Sequence, residues 1–177
     1  ASLTYLSDII KIQPNVLFNF TNLGYQTYFN NQDSIKLLDK LYFDAYRLGE
    51  IRKNIEEVEP SLRNADFVSF DMGCVRLSDN PSVISGSPNG FTSEEACQIM
   101  RYAGISGRLK SLGIFNYVRS KDTNFQSEKL IDEILGYGGN DVVVYADQSL
   151  LDEIYFDLVL QNPMLHQSTK DKHQNTR

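Results

Sequence analysis

The sequence predicts an α/β domain built on a parallel sheet. Three observations carry this. Strand-like and helix-periodic segments alternate through residue 137, the run ADFVSFDM over 65–72 is nearly continuous in apolar residues, and the helix signal Thr92-Ser93-Glu94-Glu95 follows it after a loop. Alternation of this kind is the pattern of strands joined by crossover helices, and a strand apolar on both sides suits a position between two helical layers.

Leu3, Leu6, Ile9 and Ile10 give a short apolar-periodic start that Pro14 breaks. The stretch VLFNFTNLGYQ that follows is rich in β-formers, and the first strand is expected at about residues 16–21. Over 32–41, Ile35, Leu37, Leu38 and Leu41 recur at helical spacing behind Asp33, whose carboxylate suits a helix N-terminus. Residues 42–46, YFDAY, fit either an extension of that helix or a short aromatic strand. Ile51, Ile55, Val58 and Leu62 keep helical spacing over 49–64, with Pro60 expected to break or kink the helix.

The strand at 65–72 comes next, then a loop of Ser, Asn, Pro and Gly over 78–90. Thr92 and Glu95 have the Ser/Thr-x-x-Glu form of a capping box, opening a helix that runs to about Tyr102 with Gly104 as its C-cap. A fourth strand is expected over 109–118, a helix over 127–137 stopped by Gly138 and Gly139, and a fifth strand over 141–146. Residues 153–160 alternate, with Ile154, Phe156, Leu158 and Leu160 on one side, and are expected to pair with the fifth strand as a C-terminal β-hairpin. The last ten residues contain no apolar side chain and are expected to form a solvated tail or a segment cut from something longer. The expected organisation is an α/β domain over 1–140 with helices on both sheet faces, a hairpin extension over 141–160 and a polar tail over 161–177.

A length of 177 residues suits one domain. With 17 Lys plus Arg against 23 Asp plus Glu, a net charge of -6 and no basic stripe, nucleic acid is not an expected partner. The apolar runs fall far short of the roughly 20 residues of a membrane-spanning helix. No basic segment followed by an apolar stretch and a small-residue cleavage site opens the chain, so a cytoplasmic location is expected. Cys74 and Cys97 are expected to be free thiols. His166 and His173 lie in the polar tail, which leaves metal or triad chemistry without a core histidine. The SGSPNG loop lacks the Lys-Ser/Thr that a phosphate-binding loop requires.

Asp71 ends the third expected strand, and ligands of open α/β sheets bind beyond the carboxyl ends of strands. The order Ser69-Phe70-Asp71, Pro81, then Gly90-Phe91-Thr92 and Glu95 resembles the signature of the ureohydrolases, the family of arginase, agmatinase and formimidoylglutamase. That signature is a strand reading Ser-Phe-Asp-x-Asp, a downstream Pro and a Gly-Leu-Thr-x-x-Glu helix start. The phrases LYFDAYRLGEI, NGFTSEEACQIMRYAGIS and SLGIFNY are most similar to formimidoylglutamase-like members, over about residues 15–137. The resemblance implies a three-layer α/β/α arginase-like sandwich with an eight-stranded parallel sheet, of which this chain looks like the C-terminal half. It also favours a strand at 42–46.

What the resemblance implies chemically is hydrolysis of a guanidino or formimino C–N bond by a hydroxide bridging two Mn²⁺ ions, with about six side-chain ligands. These come from a Gly-Gly-x-His segment, an Asp-x-His-x-Asp segment and both Asp of Ser-Phe-Asp-x-Asp. This sequence departs from that set. It has neither histidine segment, Gly73 replaces the second Asp, Arg76 stands where another Asp is usual, and Asn116 stands where the final strand usually ends in Glu. Asp71 is the one remaining ligand candidate, and a single carboxylate cannot serve two divalent cations.

No cofactor and no catalytic residue is therefore expected, and the vestigial site comprises Asp71, Gly73, Arg76, Glu95 and Asn116. Arg76 is expected to supply Asp71 with the positive charge the metals once gave. Glu95 aligns with the carboxylate that receives the substrate guanidinium and is expected to serve the capping box instead. Cys74 is expected to be a small buried residue, not a nucleophile. The expected function is that of a degenerate, metal-free ureohydrolase-fold protein acting as a binding or scaffold component. Its partner would be a protein or a second copy, with the hairpin as the candidate contact surface and packing of the hairpin on its own sheet as the alternative. The alternative is the C-terminal half of an active Mn²⁺-dependent amidine hydrolase whose other ligands lie on an N-terminal segment, a reading that the start at Ala1 suits.

Overall fold

The computed structural model describes residues 9–12, 14, 17–139 and 142–145. Two parallel sheets form its frame. In the first, β1 (Thr21–Tyr25) pairs with β2 (Asp44–Arg47), and α1 (Gln32–Lys40) connects them. In the second, β3 (Phe67–Asp71), β4 (Ser111–Phe115) and β5 (Val143–Tyr145) are neighbours in that order. Between the sheets run α2 (Leu48–Lys53), a 3-10 turn (Ile55–Val58) and α3 (Glu59–Arg63), while α4 (Ser93–Ile105) links β3 to β4 and α5 (Gln126–Gly138) links β4 to β5. The α/β class with parallel strands is the one the sequence predicts.

The first strand lies further along the chain than the expected 16–21. A strand needs a hydrogen-bonding partner as well as β-forming residues, and the register joins Thr21, Asn22 and Leu23 to Asp44, Ala45 and Tyr46, whereas Phe18 is fully exposed. At Gly24 (φ 89°) the ladder shifts, and the Phe91 ring occupies the space that a side chain there would need. α1 begins as expected, with the Asn31 side chain accepting the Asp33 N–H at 3.0 Å. Tyr42, at φ 58°, takes the chain out of the helix, so 42–46 resolves into a turn followed by strand β2.

The helix expected over 49–64 is three pieces. Asn54 (φ -152°, ψ 84°) interrupts it, and Pro60 does not break a helix but sits in the first turn of α3, where a missing N–H costs no hydrogen bond. Gly104 is not a C-cap either. α4 continues to Ile105, Ser106 caps it, and Gly107 (φ 64°) makes the left-handed turn. Gly104 lies instead where α4 meets α5, since a Cβ there would run into the Tyr137 carbonyl oxygen. α5 stops as the Gly-Gly pair predicts, with Gly139 at φ 97° as C-cap.

β3 and β4 are shorter than the expected 65–72 and 109–118, and they run in register from Phe67 opposite Ser111 to Asp71 opposite Phe115. The core lies between this sheet and its helices: Met100 and Ala103 of α4, Ile131 and Ile134 of α5, and Leu112 and Ile114 of β4 are fully buried. Right-handed crossovers between successive neighbouring strands place α4 and α5 on the same face. On β3, Phe70 is buried while Phe67, Ser69 and Asp71 are exposed, so the described residues cover the apolar run on one side only.

The expected partner strand at 153–160 and the tail with His166 and His173 lie outside the described residues. Among the described residues, no helix is long and apolar enough to cross a membrane. Cys74 and Cys97 are free thiols.

Candidate functional site

The carboxyl ends of β3 and β4 bring three of the expected residues together. Asp71 closes β3, and its Oδ1 accepts the Gly73 N–H at 2.7 Å, turning the chain into a 3-10 turn at Met72–Cys74. Asn116 follows β4 in the left-handed conformation at φ 66°, which asparagine tolerates better than most residues. Its Nδ2 donates to the same Asp71 Oδ1 at 3.1 Å. A Cβ on Gly73 would lie 2.8 Å from Asn116 Nδ2 and 3.0 Å from Asp71 Oδ1. The space a second carboxylate would fill beside Asp71 thus holds the Asn116 carboxamide. Burial and then the Asp71 charge push the adjacent Cys74 thiol up to about 12, so it is protonated at neutral pH and no nucleophile.

Arg76 and Glu95 stand apart from this trio. The expected pairing of Arg76 with Asp71 is not formed: Arg76 Nε donates to Asp79 Oδ1 at 2.7 Å, because the Asp79 N–H to Arg76 carbonyl bond folds the two residues back on each other. Glu95 makes the capping box in full. The Thr92 N–H donates to its Oε2 at 2.8 Å, and its own N–H donates to Thr92 Oγ1 at 3.0 Å. From α2, Arg52 reaches the Glu95 carboxylate at 3.5 Å, donates to Asn89 Oδ1 at 3.0 Å and donates to the Gly90 carbonyl. The Glu95 carboxylate thus serves the helix terminus and a guanidinium of this chain.

Two loop residues escape the sequence argument. Asn80 is fully buried, with Nδ2 donating to the Met72 carbonyl at 2.6 Å and Oδ1 accepting from Ser82 Oγ at 2.9 Å, which ties the loop to the turn beyond Asp71. The Asn-Pro dipeptide signals a turn there but not a buried amide. Asp79 accepts from Arg76, from Ser78 Oγ and from both the N–H and Oγ of Ser93 at the start of α4. Burial opposes its ionisation, but the bonds from Arg76, Ser93 and Ser78 outweigh that and hold its carboxyl at about 2, against an ordinary 3.8.

A depressed folded-state value means that this stabilisation is complete above about pH 4 and is lost as pH falls toward about 2. Urea midpoints measured over that interval are expected to fall more steeply for the wild type than for Asp79→Asn. Equal slopes would remove Asp79 from the acid response.

The residues present do not fit a dinuclear metal centre. Among the described residues no group of three or more His, Cys, Asp or Glu comes together. Asp71 Oδ1 already accepts two N–H donors, and these compete with a cation for the lone pairs of that oxygen.

No family model matches the sequence, and no curated protein does. Solved structures do match its fold. A formiminoglutamase from Trypanosoma cruzi, in a structure with Mn²⁺, aligns at a TM-score of 0.62 and 17% identity, over 67% of this chain and 43% of that one. The formimidoylglutamase of Bacillus subtilis aligns at 0.59 and 19%, over 67% and 40%, and the arginase of Bacillus caldovelox at 0.55 and 16%, over 61% and 39%. The shared architecture is the arginase-like ureohydrolase fold, and the chain spans 39–43% of the length of these neighbours.

Proposed function

We propose that the chain is a ureohydrolase-fold component that has lost the dinuclear metal centre and works by binding, as a partner or scaffold for a protein or a second copy of itself. The observation that carries this is the pairing of Asp71 with the Asn116 carboxamide across Gly73. Truncation cannot account for it, because all three residues lie within the strand ends this chain supplies. A carboxamide donates where a ligand carboxylate would coordinate, so the carboxyl end of β3 is kept ordered without a cation. Exposed aromatics support a contact role: Tyr28 and Phe29, edge to face at 5.3 Å, lie beyond β1, and Tyr28 is 92% exposed.

The test is manganese content of the purified full chain by elemental mass spectrometry, together with the Gly73→Asp variant. The wild type is expected to hold no stoichiometric manganese. Gly73→Asp is expected to lower stability by roughly 1–3 kcal/mol, through the clash with Asn116 and the repulsion between two carboxylates, with no rescue by added Mn²⁺. Stoichiometric metal, or a variant that Mn²⁺ stabilises, overturns the proposal.

A second reading has one observation in its favour, the 39–43% share of the neighbours' length that this chain spans. It is the C-terminal half of a Mn²⁺-dependent amidine hydrolase, completed by ligands on another segment. The Gly73→Asp result under Mn²⁺ separates the two readings.

A further inference from the structure

Asn89 is the only asparagine of the sequence followed by glycine, and the structure makes that pair a joint. Asn89 is exposed. Its Nδ2 donates to Gln26 Oε1 at 3.1 Å, its carbonyl accepts Gln26 Nε2 at 2.5 Å, and its Oδ1 accepts Arg52 Nη1 at 3.0 Å. The loop beyond β1 is thereby tied to the chain just before α4. Gly90 cannot be exchanged at this joint, since a Cβ there would lie 2.5 Å from the Arg76 nitrogen and 2.6 Å from the Cys74 carbonyl oxygen.

An asparagine with glycine after it is able to close into a ring with its own main chain. Gly90 has no Cβ to crowd the approach of its nitrogen to the Asn89 carboxamide carbon, which makes this the least hindered such pair in the chain. Among the described residues none accepts the Gly90 N–H, so no hydrogen bond holds that nitrogen away from reaction. Arg52 supplies the other requirement. Its Nη1 donates to Asn89 Oδ1, the oxygen on which negative charge develops when the nitrogen attacks, while its Nη2 donates to the Gly90 carbonyl and its Nε lies 3.5 Å from the Glu95 carboxylate. A cationic donor fixed at a developing oxyanion lowers the barrier to the attack.

We propose that Asn89–Gly90 is a self-modifying site, converted in the folded chain to a mixture of aspartate and isoaspartate, with Arg52 as the group that promotes ring closure. Hydroxide removes the Gly90 amide proton, the nitrogen bonds to Asn89 Cγ, and the Cγ–Nδ2 bond breaks as Nδ2 takes a proton from water and leaves as ammonia. Water then opens the succinimide at either carbonyl, with no change of oxidation state. The product carboxylate has no N–H to give Gln26 Oε1, and the isoaspartate form adds a methylene to the main chain ahead of the closely fitted Gly90. Conversion thus unties the loop beyond β1 from the start of α4, and it stands independently of the metal reading.

The test incubates the full chain at mildly alkaline pH and follows conversion at Asn89 by peptide mapping with isoaspartate detection, in the wild type and in Arg52→Gln, each folded and in urea. The folded wild type is expected to convert about tenfold faster than folded Arg52→Gln, the rate equivalent of one charge-assisted hydrogen bond. In urea, where Arg52 and Asn89 are apart, the two rates are expected to be equal. A folded Arg52→Gln that converts as fast as the wild type or faster overturns the proposal, because Arg52 is then idle or protective, and so does conversion seen only in urea. Asn89→Gln, whose longer side chain closes its ring far more slowly, is expected to stay unmodified, and ammonia release that persists in it overturns the assignment of the site. Converted wild type is expected to unfold at a lower urea concentration than the unconverted chain, and equal midpoints overturn the untying. If Arg52→Gln fails to fold, Arg52→Lys, which lacks the planar fork, is expected to slow conversion in the same sense, and an unchanged rate overturns the proposal equally.

Discussion

Replacing Asp122 by Ala is expected to lower the unfolding free energy by about 3 kcal/mol, near the upper end for a helix cap, because one carboxylate serves several donors where water cannot substitute. The residue at the N-cap position of α5 is Phe125, left-handed at φ 55° and without a side-chain acceptor. Asp122 takes over from upstream. Its Oδ1 accepts the N–H groups of Gln126 at 3.0 Å and Ser127 at 3.3 Å, and its Oδ2 accepts the Glu128 N–H at 2.8 Å and the Tyr117 hydroxyl at 3.4 Å. Asp122 is 6% exposed and Tyr117 4%. Burial and the Asp122 charge push the Tyr117 phenol up to about 12, which keeps it a donor throughout the range in which the protein is handled. Asp122→Asn retains one acceptor oxygen and is expected to lose about half as much in urea unfolding. A loss within about 0.5 kcal/mol for Asp122→Ala would place the capping of α5 elsewhere.

Gly104→Ala sets helix propensity against packing, and the two disagree in sign. Propensity alone promises a gain of up to about 1 kcal/mol for removing a glycine from a helix interior. The structure predicts a loss of roughly 2–3 kcal/mol, since the added methyl meets the Tyr137 carbonyl oxygen and a backbone atom cannot turn aside as a side chain would. Gly136 supplies the contrast. It is exposed on α5 with nothing within 4 Å of an added Cβ, so Gly136→Ala is expected to gain what Gly104→Ala forfeits. Thermal unfolding of both variants beside the wild type decides the point, and a stabilised Gly104→Ala would mean that α4 and α5 do not meet at this residue.

Gly73 and Asn116 were legible as departures from the ureohydrolase signature beside the retained Asp71, but the geometry of the trio was not. The resemblance places Asp71 and Asn116 at the ends of two strands, and only the parallel register of β3 on β4 brings a carboxamide 45 residues away within 3.1 Å of the carboxylate. Arg76 shows the opposite error. Its charge looked like a replacement for lost metal, yet a turn three residues long places Asp79 closer to hand, and a strong charge-assisted bond goes to the nearer partner.

What the sequence by itself determined are features whose partners lie within a turn or so of each other. The Thr92–Glu95 capping box, the acidic first turn of α1 at Asp33 and the Gly138–Gly139 stop of α5 all follow from backbone geometry that every helix end shares. The alternation of strands and helices belongs with them, because periodicity is written residue by residue. Only the tertiary structure decided where β1 begins, that Gly104 is a helix contact, that Arg52 clamps the start of α4 from 43 residues away, and that the described residues cover only one face of β3. Each of these depends on which surfaces meet across long stretches of chain. A residue's type fixes what it is able to bond or bury, while packing selects the neighbour it has.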